Sequence, residues 1–142
     1  MKKVISMIAS LAIAVSTFSA MAVNVNAKVV DPGIDVAQPY YTYASRADSR
    51  ISISGKTGTC TSICNGSDVT KIEATQFIER KMPSYYLPLE MWTKTVNGNS
   101  LTMTNSRSSL VSDTYRCRTV FKVYKGSSYE TFSEISPTAK VN

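Results

Sequence analysis

Three cysteines, ten carboxylates and a short aromatic cluster are the groups in this chain that can carry chemistry, and there is no histidine. Without histidine, no Ser-His or Cys-His nucleophile and no histidine-held metal can be built. Cys60, Cys64 and Cys117 do not match a zinc-ligand spacing, because no second cysteine pair accompanies them. Two carboxylates can flank a glycosidic bond, but no spacing here singles out a pair. Glu73, Glu79, Glu130 and Glu134 fall on polar phases and are expected to be solvated. Gly55-Lys56-Thr57 has the end of a phosphate-binding loop, yet that motif needs a glycine where Arg50 stands. It reads as a turn. Asn65-Gly66-Ser67 has the form of a glycosylation acceptor and also reads as a turn. The expectation is a chain that is not an enzyme and holds no cofactor or metal.

The aromatic cluster is the remaining candidate. Tyr85 and Tyr86 adjoin a Met82-Pro83-Ser84 turn, and Trp92 lies six residues beyond Tyr86, on its phase if the strand is regular. Leu87, Leu89 and Met91 share the opposite phase, which favours an outward Trp92; Val96 on the Trp92 phase argues for an inward one. The first reading of Trp92 is core or half-buried packing. The second is a Tyr85–Tyr86–Trp92 binding platform, since flat rings with polar neighbours take sugars or choline-like groups.

These residues must be positioned by strands. From Arg50 onward, short runs rich in Val, Ile, Thr, Tyr and Phe alternate with Gly, Asn, Ser and Asp turns. The pattern predicts strands at 50–54, 57–64, 70–80, 86–96, 100–104, 114–124 and 129–135, with Asn97-Gly98 as a hairpin turn between the fourth and fifth. No helical period long enough for a parallel crossover is present. The expected fold is all-β, an antiparallel immunoglobulin-like sandwich of about seven strands. Cys60 and Cys64, four residues apart on one extended strand, are roughly 13 Å apart and cannot pair. Cys117 must then partner one of them. Cys60, in mid-strand like Cys117, is preferred to Cys64, which abuts a turn. The remaining thiol is read as a small buried apolar residue or, alternatively, as the link in a disulfide dimer.

The first residues carry an address. Lys2 and Lys3 precede an apolar run from Val4 to about Val15, and small residues offer cleavage after Ala22 or Ala27. This is the form of a secretory signal peptide. The run is short and broken by Ser6 and Ser10, which argues against a membrane span. The organisation predicted is a signal peptide at 1–27, a tether or first strand at 28–49 and the sandwich at 50–142, secreted and without stable membrane insertion. The net charge of +6 falls to about +4 on cleavage after Ala27, enough for weak attraction to acidic polymers. The basic residues are dispersed, so no nucleic-acid partner is expected.

Asp113-Thr114-Tyr115-Arg116-Cys117 resembles the start of the sixth strand of immunoglobulin-like domains, where a Tyr two residues before the Cys forms a tyrosine corner. The Trp that packs beside the disulfide in that family has no clear match here, since Trp92 falls too far from Cys60. Over residues 40–132, Tyr41-Thr42-Tyr43, Val69-Thr70-Lys71-Ile72, Trp92-Thr93-Lys94-Thr95-Val96 and Thr119-Val120-Phe121-Lys122-Val123-Tyr124 resemble a family of small secreted single-domain proteins of low-GC Gram-positive bacteria. The resemblance implies export and a β-sandwich and transfers no catalytic or binding residue. The functional expectation is a secreted, non-catalytic binding domain for an extracellular polysaccharide or protein. A self-associating structural protein is the alternative, and a small secreted hydrolase is less favoured.

Overall fold

The computed structural model describes residues 40–142, and the signal-peptide reading and most of the tether lie outside them. Eight strands follow one another: β1 (Arg46–Ser54), β2 (Thr57–Asn65), β3 (Lys71–Lys81), β4 (Tyr86–Val96), β5 (Ser100–Arg107), β6 (Asp113–Lys125), β7 (Ser128–Ile135) and β8 (Ala139–Val141). They form two antiparallel sheets, β1-β2-β5 and β4-β3-β6-β7, with β8 beside the start of β6. This is the expected immunoglobulin-like sandwich, with one short strand more than the pattern predicted. Among the described residues no helix is long and apolar enough to cross a membrane.

Alternation fixes which way each strand faces. Cys60, Ser62 and Cys64 on β2 are buried, as are Ile72, Ala74, Gln76 and Ile78 on β3 and Tyr115, Cys117, Thr119, Phe121 and Val123 on β6. The intervening residues are only partly covered. Two turns of two residues close the β1–β2 and β6–β7 hairpins, with Gly55 and Gly126 at φ 57° and 61°. A left-handed first turn residue is what glycine supplies in such connections.

Asn97-Gly98 does not close a hairpin. β4 pairs with β3, whereas β5 pairs with β2 in the other sheet. The hairpin form of this dipeptide needs positive φ at both residues, and Asn97 does not have it. Val96 and Leu101 on either side pack into the same apolar cluster. Burying both draws the chain across the sandwich rather than back along β4.

The core has two apolar halves. Ile72, Ala74, Leu101, Met103, Phe121, Val123 and Cys64 fill one, and Cys60, Ile78, Leu110, Tyr115, Cys117 and Val141 fill the other. Between them runs a belt of hydroxyls and amides. Asn105 donates to Gln76 Oε1 (2.9 Å), Gln76 Nε2 donates to Ser62 Oγ (2.6 Å), Ser62 bonds Thr119 (2.6 Å), and Ser49 Oγ donates to Thr119 Oγ1 (2.8 Å). Five strands from both sheets are tied by it. No buried side-chain nitrogen or oxygen among the described residues lacks a partner, which is the condition for a polar core network to be stable.

Tyr115 makes the corner that its position suggested. Its hydroxyl donates to the Val111 carbonyl at 2.8 Å. The segment before β1 is also docked. Glu130 accepts the backbone N–H groups of Thr42, Tyr43 and Ala44 at 2.7–2.8 Å, and the Tyr41 hydroxyl bonds Glu134. Glu130 and Glu134 are therefore not plain solvated side chains. They lie on the phase of Phe132, against which the Tyr41 ring packs at 4.5 Å.

Candidate interaction face

The outer face of β4-β3-β6-β7 gathers charged and aromatic side chains in a repeated way. β3 and β6 pair so that Glu79 lies opposite Arg116, Phe77 opposite Arg118, Glu73 opposite Lys122 and Lys71 opposite Tyr124. All of these are on the strand phase that points away from the core. Cross-strand neighbours on one face are about 5 Å apart at Cβ, close enough to interact.

Two arginines share one buried carboxylate. Arg116 Nε donates to Glu79 Oε2 at 2.8 Å and Arg118 Nε to Oε1 at 2.7 Å. Glu79, expected to be solvated, is only 2% exposed, because the two side chains close over it. Each guanidinium also covers a ring. Arg116 sits 3.5 Å from the centroid of Tyr86, and Arg118 sits 4.2 Å from that of Phe77. The arginine side chains remain 21% and 25% exposed. Stacking of this kind is worth about 0.5–1 kcal/mol at a wet site.

The other end of the face repeats the arrangement with lysines. Lys71 Nζ lies 3.9 Å from the Tyr124 ring, and Lys122 Nζ lies 4.1 Å from Tyr129 and 5.0 Å from Tyr124. Glu73 accepts from Lys71 at 2.8 Å and from the Tyr124 hydroxyl at 3.0 Å. The bond from Lys71 holds the Glu73 carboxyl below its ordinary range, and the neighbouring Tyr124 hydroxyl raises Lys122.

The expected Tyr85–Tyr86–Trp92 platform is not assembled. Tyr85 is 55% exposed in the turn before β4, and Tyr86 lies on the outer face under Arg116. Trp92 is half-buried and packs against both halves of the core. The cause is a β-bulge. Ile78 pairs with Glu90 but Glu79 pairs with Pro88, so Leu89 is an extra residue in β4. One inserted residue inverts the alternation, placing Tyr86 outside and Trp92 inside despite their even spacing. Phe77, Glu79, Arg116, Arg118, Lys122, Tyr124 and Tyr129 were not singled out as a site by the sequence. The alternation of Arg116, Arg118 and Lys122 was visible, but their partners follow from the β3–β6 register.

The thiols are buried and free in the structure. Cys60 and Cys117 face each other from β2 and β6 in the same half of the core, and the neighbouring Cys117 sulfur together with burial raises the Cys60 thiol. Cys64 lies in the other half of the core. Burial, then the charges of Glu130 and Glu134, push its pKa up to about 12. A thiol so buried and so hard to ionise cannot serve as an intermolecular link without unfolding.

The solution structure of R. palustris CsgH is similar to 63% of this chain and 89% of its own, with a TM-score of 0.39 and 10% sequence identity. No family model and no curated protein matches the chain.

Proposed function

We propose that this is a secreted, non-catalytic interaction domain that engages an extracellular polysaccharide or protein through the outer face of β4-β3-β6-β7. The observation that carries the reading is the ladder of stacked cations, Arg116 on Tyr86, Arg118 on Phe77 and Lys122 on Tyr129. It is pre-ordered and partly exposed, and the inward face alone accounts for the core. The signal-like first residues and the resemblance to small secreted proteins support export.

The test is retention of the purified protein on cell-surface and extracellular polymers and proteins, comparing wild type with a Lys71→Gln/Lys122→Gln double variant. Loss of retention in a variant that keeps its Tm supports the reading. Equal retention by both proteins sinks it.

Export also brings Cys60 and Cys117 under oxidising conditions, and the reading includes a disulfide between them. The two thiols give two protons and two electrons to a donor disulfide, which leaves as two thiols. Both sulfurs are fully buried, so the exchange belongs to folding, before the sheets close.

A further inference from the structure

We propose that the partner of this face is a linear acidic polysaccharide, gripped at its carboxylate or phosphate groups by the guanidinium forks of Arg116 and Arg118 and by Lys122. This rests on the reading above and names the chemistry of its ligand.

The first argument is what covers the rings. A neutral sugar stacks on a bare aromatic face. Here Tyr86, Phe77, Tyr124 and Tyr129 each have a side-chain cation 3.5–4.2 Å from the centroid. A choline-like cation would meet the same obstruction and positive charge besides. What the platform presents outward is nitrogen donors held on aromatic supports.

The second argument is charge. Lys71, Arg116, Arg118 and Lys122 face Glu73 and Glu79, so cations outnumber carboxylates on the ladder. Glu79 takes an Nε donor from each arginine. That leaves the two terminal amino groups of each guanidinium as the fork that matches a carboxylate or phosphate. Glu79 acts as a positioning residue, because it fixes both forks side by side.

The third argument is spacing. Arg116 and Arg118 are about 7 Å apart along β6 and Lys122 lies about 13 Å further on, from the rise of an extended strand. Three cations in line along one strand suit an anion that repeats along a chain rather than one small ligand.

The experiment is affinity electrophoresis of the purified protein in gels containing polygalacturonate, phosphorylated dextran or neutral dextran, at low and physiological salt. Retardation by either acidic polymer and none by dextran is expected, and the carboxylate and phosphate arms separate the two sources of charge. Lys122→Gln and Arg116→Lys should each weaken binding roughly tenfold, the latter because lysine keeps the charge and loses the fork. Arg50→Gln, on an exposed site of the other sheet, removes the same charge and should leave binding unchanged. Thermal melting of each variant separates lost binding from lost folding. Equal retardation by dextran, or an Arg50→Gln effect as large as that of Lys122→Gln, overturns the proposal. Face-dependent retention on neutral polymers alone would keep the interaction reading and discard the acidic ligand. Retention indifferent to the face would discard both.

Discussion

At the scale of single residues, the stability of this domain turns on a few bonds that can be removed one at a time. Tyr115→Phe deletes only the hydroxyl that bonds the Val111 carbonyl, and is expected to cost about 1 kcal/mol in denaturant unfolding. Gly66→Ala should cost more. An added Cβ would press on Val69 and come within 2.7 Å of the Tyr43 carbonyl oxygen, which cannot move freely because its segment is held by Glu130. A clear fall in Tm is the expected reading. Asp113 gives a pH signature. Its bond from the Thr114 N–H, and then the one from Arg80, hold its carboxyl below the ordinary aspartate range. A carboxyl lowered by folding contributes stability above its unfolded pKa, and that contribution fades as pH falls through the folded value. The Tm difference between wild type and Asp113→Asn should therefore be present at neutral pH and vanish in acid. A difference that grows in acid would contradict the assignment.

At the scale of elements, the strands were legible and their partners were only partly so. Alternation located seven strands because a half-buried strand must show period two. It could not show that β5 leaves β4 for β2, since Asn97-Gly98 has the composition of a hairpin and only the burial of Val96 and Leu101 decides against one. Nor could it show the Leu89 bulge, which adds no unusual residue to β4 yet turns Trp92 inward. The candidate site suffered from the same gap. Arg116, Arg118 and Lys122 were read as one polar phase, but their meaning comes from Phe77, Glu79 and Tyr86 on neighbouring strands. Separate fates follow for the aromatic residues of β4. Trp92→Ala should destabilise by about 2–3 kcal/mol, less than a fully buried Trp. Tyr86→Ala should leave Tm nearly unchanged and reduce retention on acidic polymers. A Trp92→Ala variant of full stability would refute its inward placement.

At the scale of the whole molecule, the two sheets are joined by the core and by the belt of Ser49, Ser62, Gln76, Asn105 and Thr119, and the proposed Cys60–Cys117 disulfide would add a covalent link. With the disulfide formed, reduction should lower equilibrium stability by roughly 4 kcal/mol for a loop of this length. Mass spectrometry of the protein folded under oxidising conditions and kept non-reducing should find one cysteine to alkylate, Cys64, and only after denaturation. Rapid alkylation of Cys64 in the native protein would contradict its burial. On the outward face, Glu79 and its two arginines contribute to this stability, since removing one partner leaves a buried charge uncompensated.

The belt also acts as an index mark for the sulfurs. Along β2 the buried order is Cys60, Ser62, Cys64, and along β6 it is Cys117, Thr119, Phe121. Ser62 meets Thr119, so Cys60 meets Cys117 and Cys64 falls beside Phe121. Bringing Cys64 to Cys117 would slide one sheet over the other by four residues. Ser62 would then lie against the Tyr115 ring, and the hydroxyl of Thr119 would lose its bond. Each stranded hydroxyl costs about 1–3 kcal/mol. In the proposed disulfide, a pair of hydroxyl groups would thus proofread the choice between two cysteines, an error-correcting part in what otherwise looks like plain core.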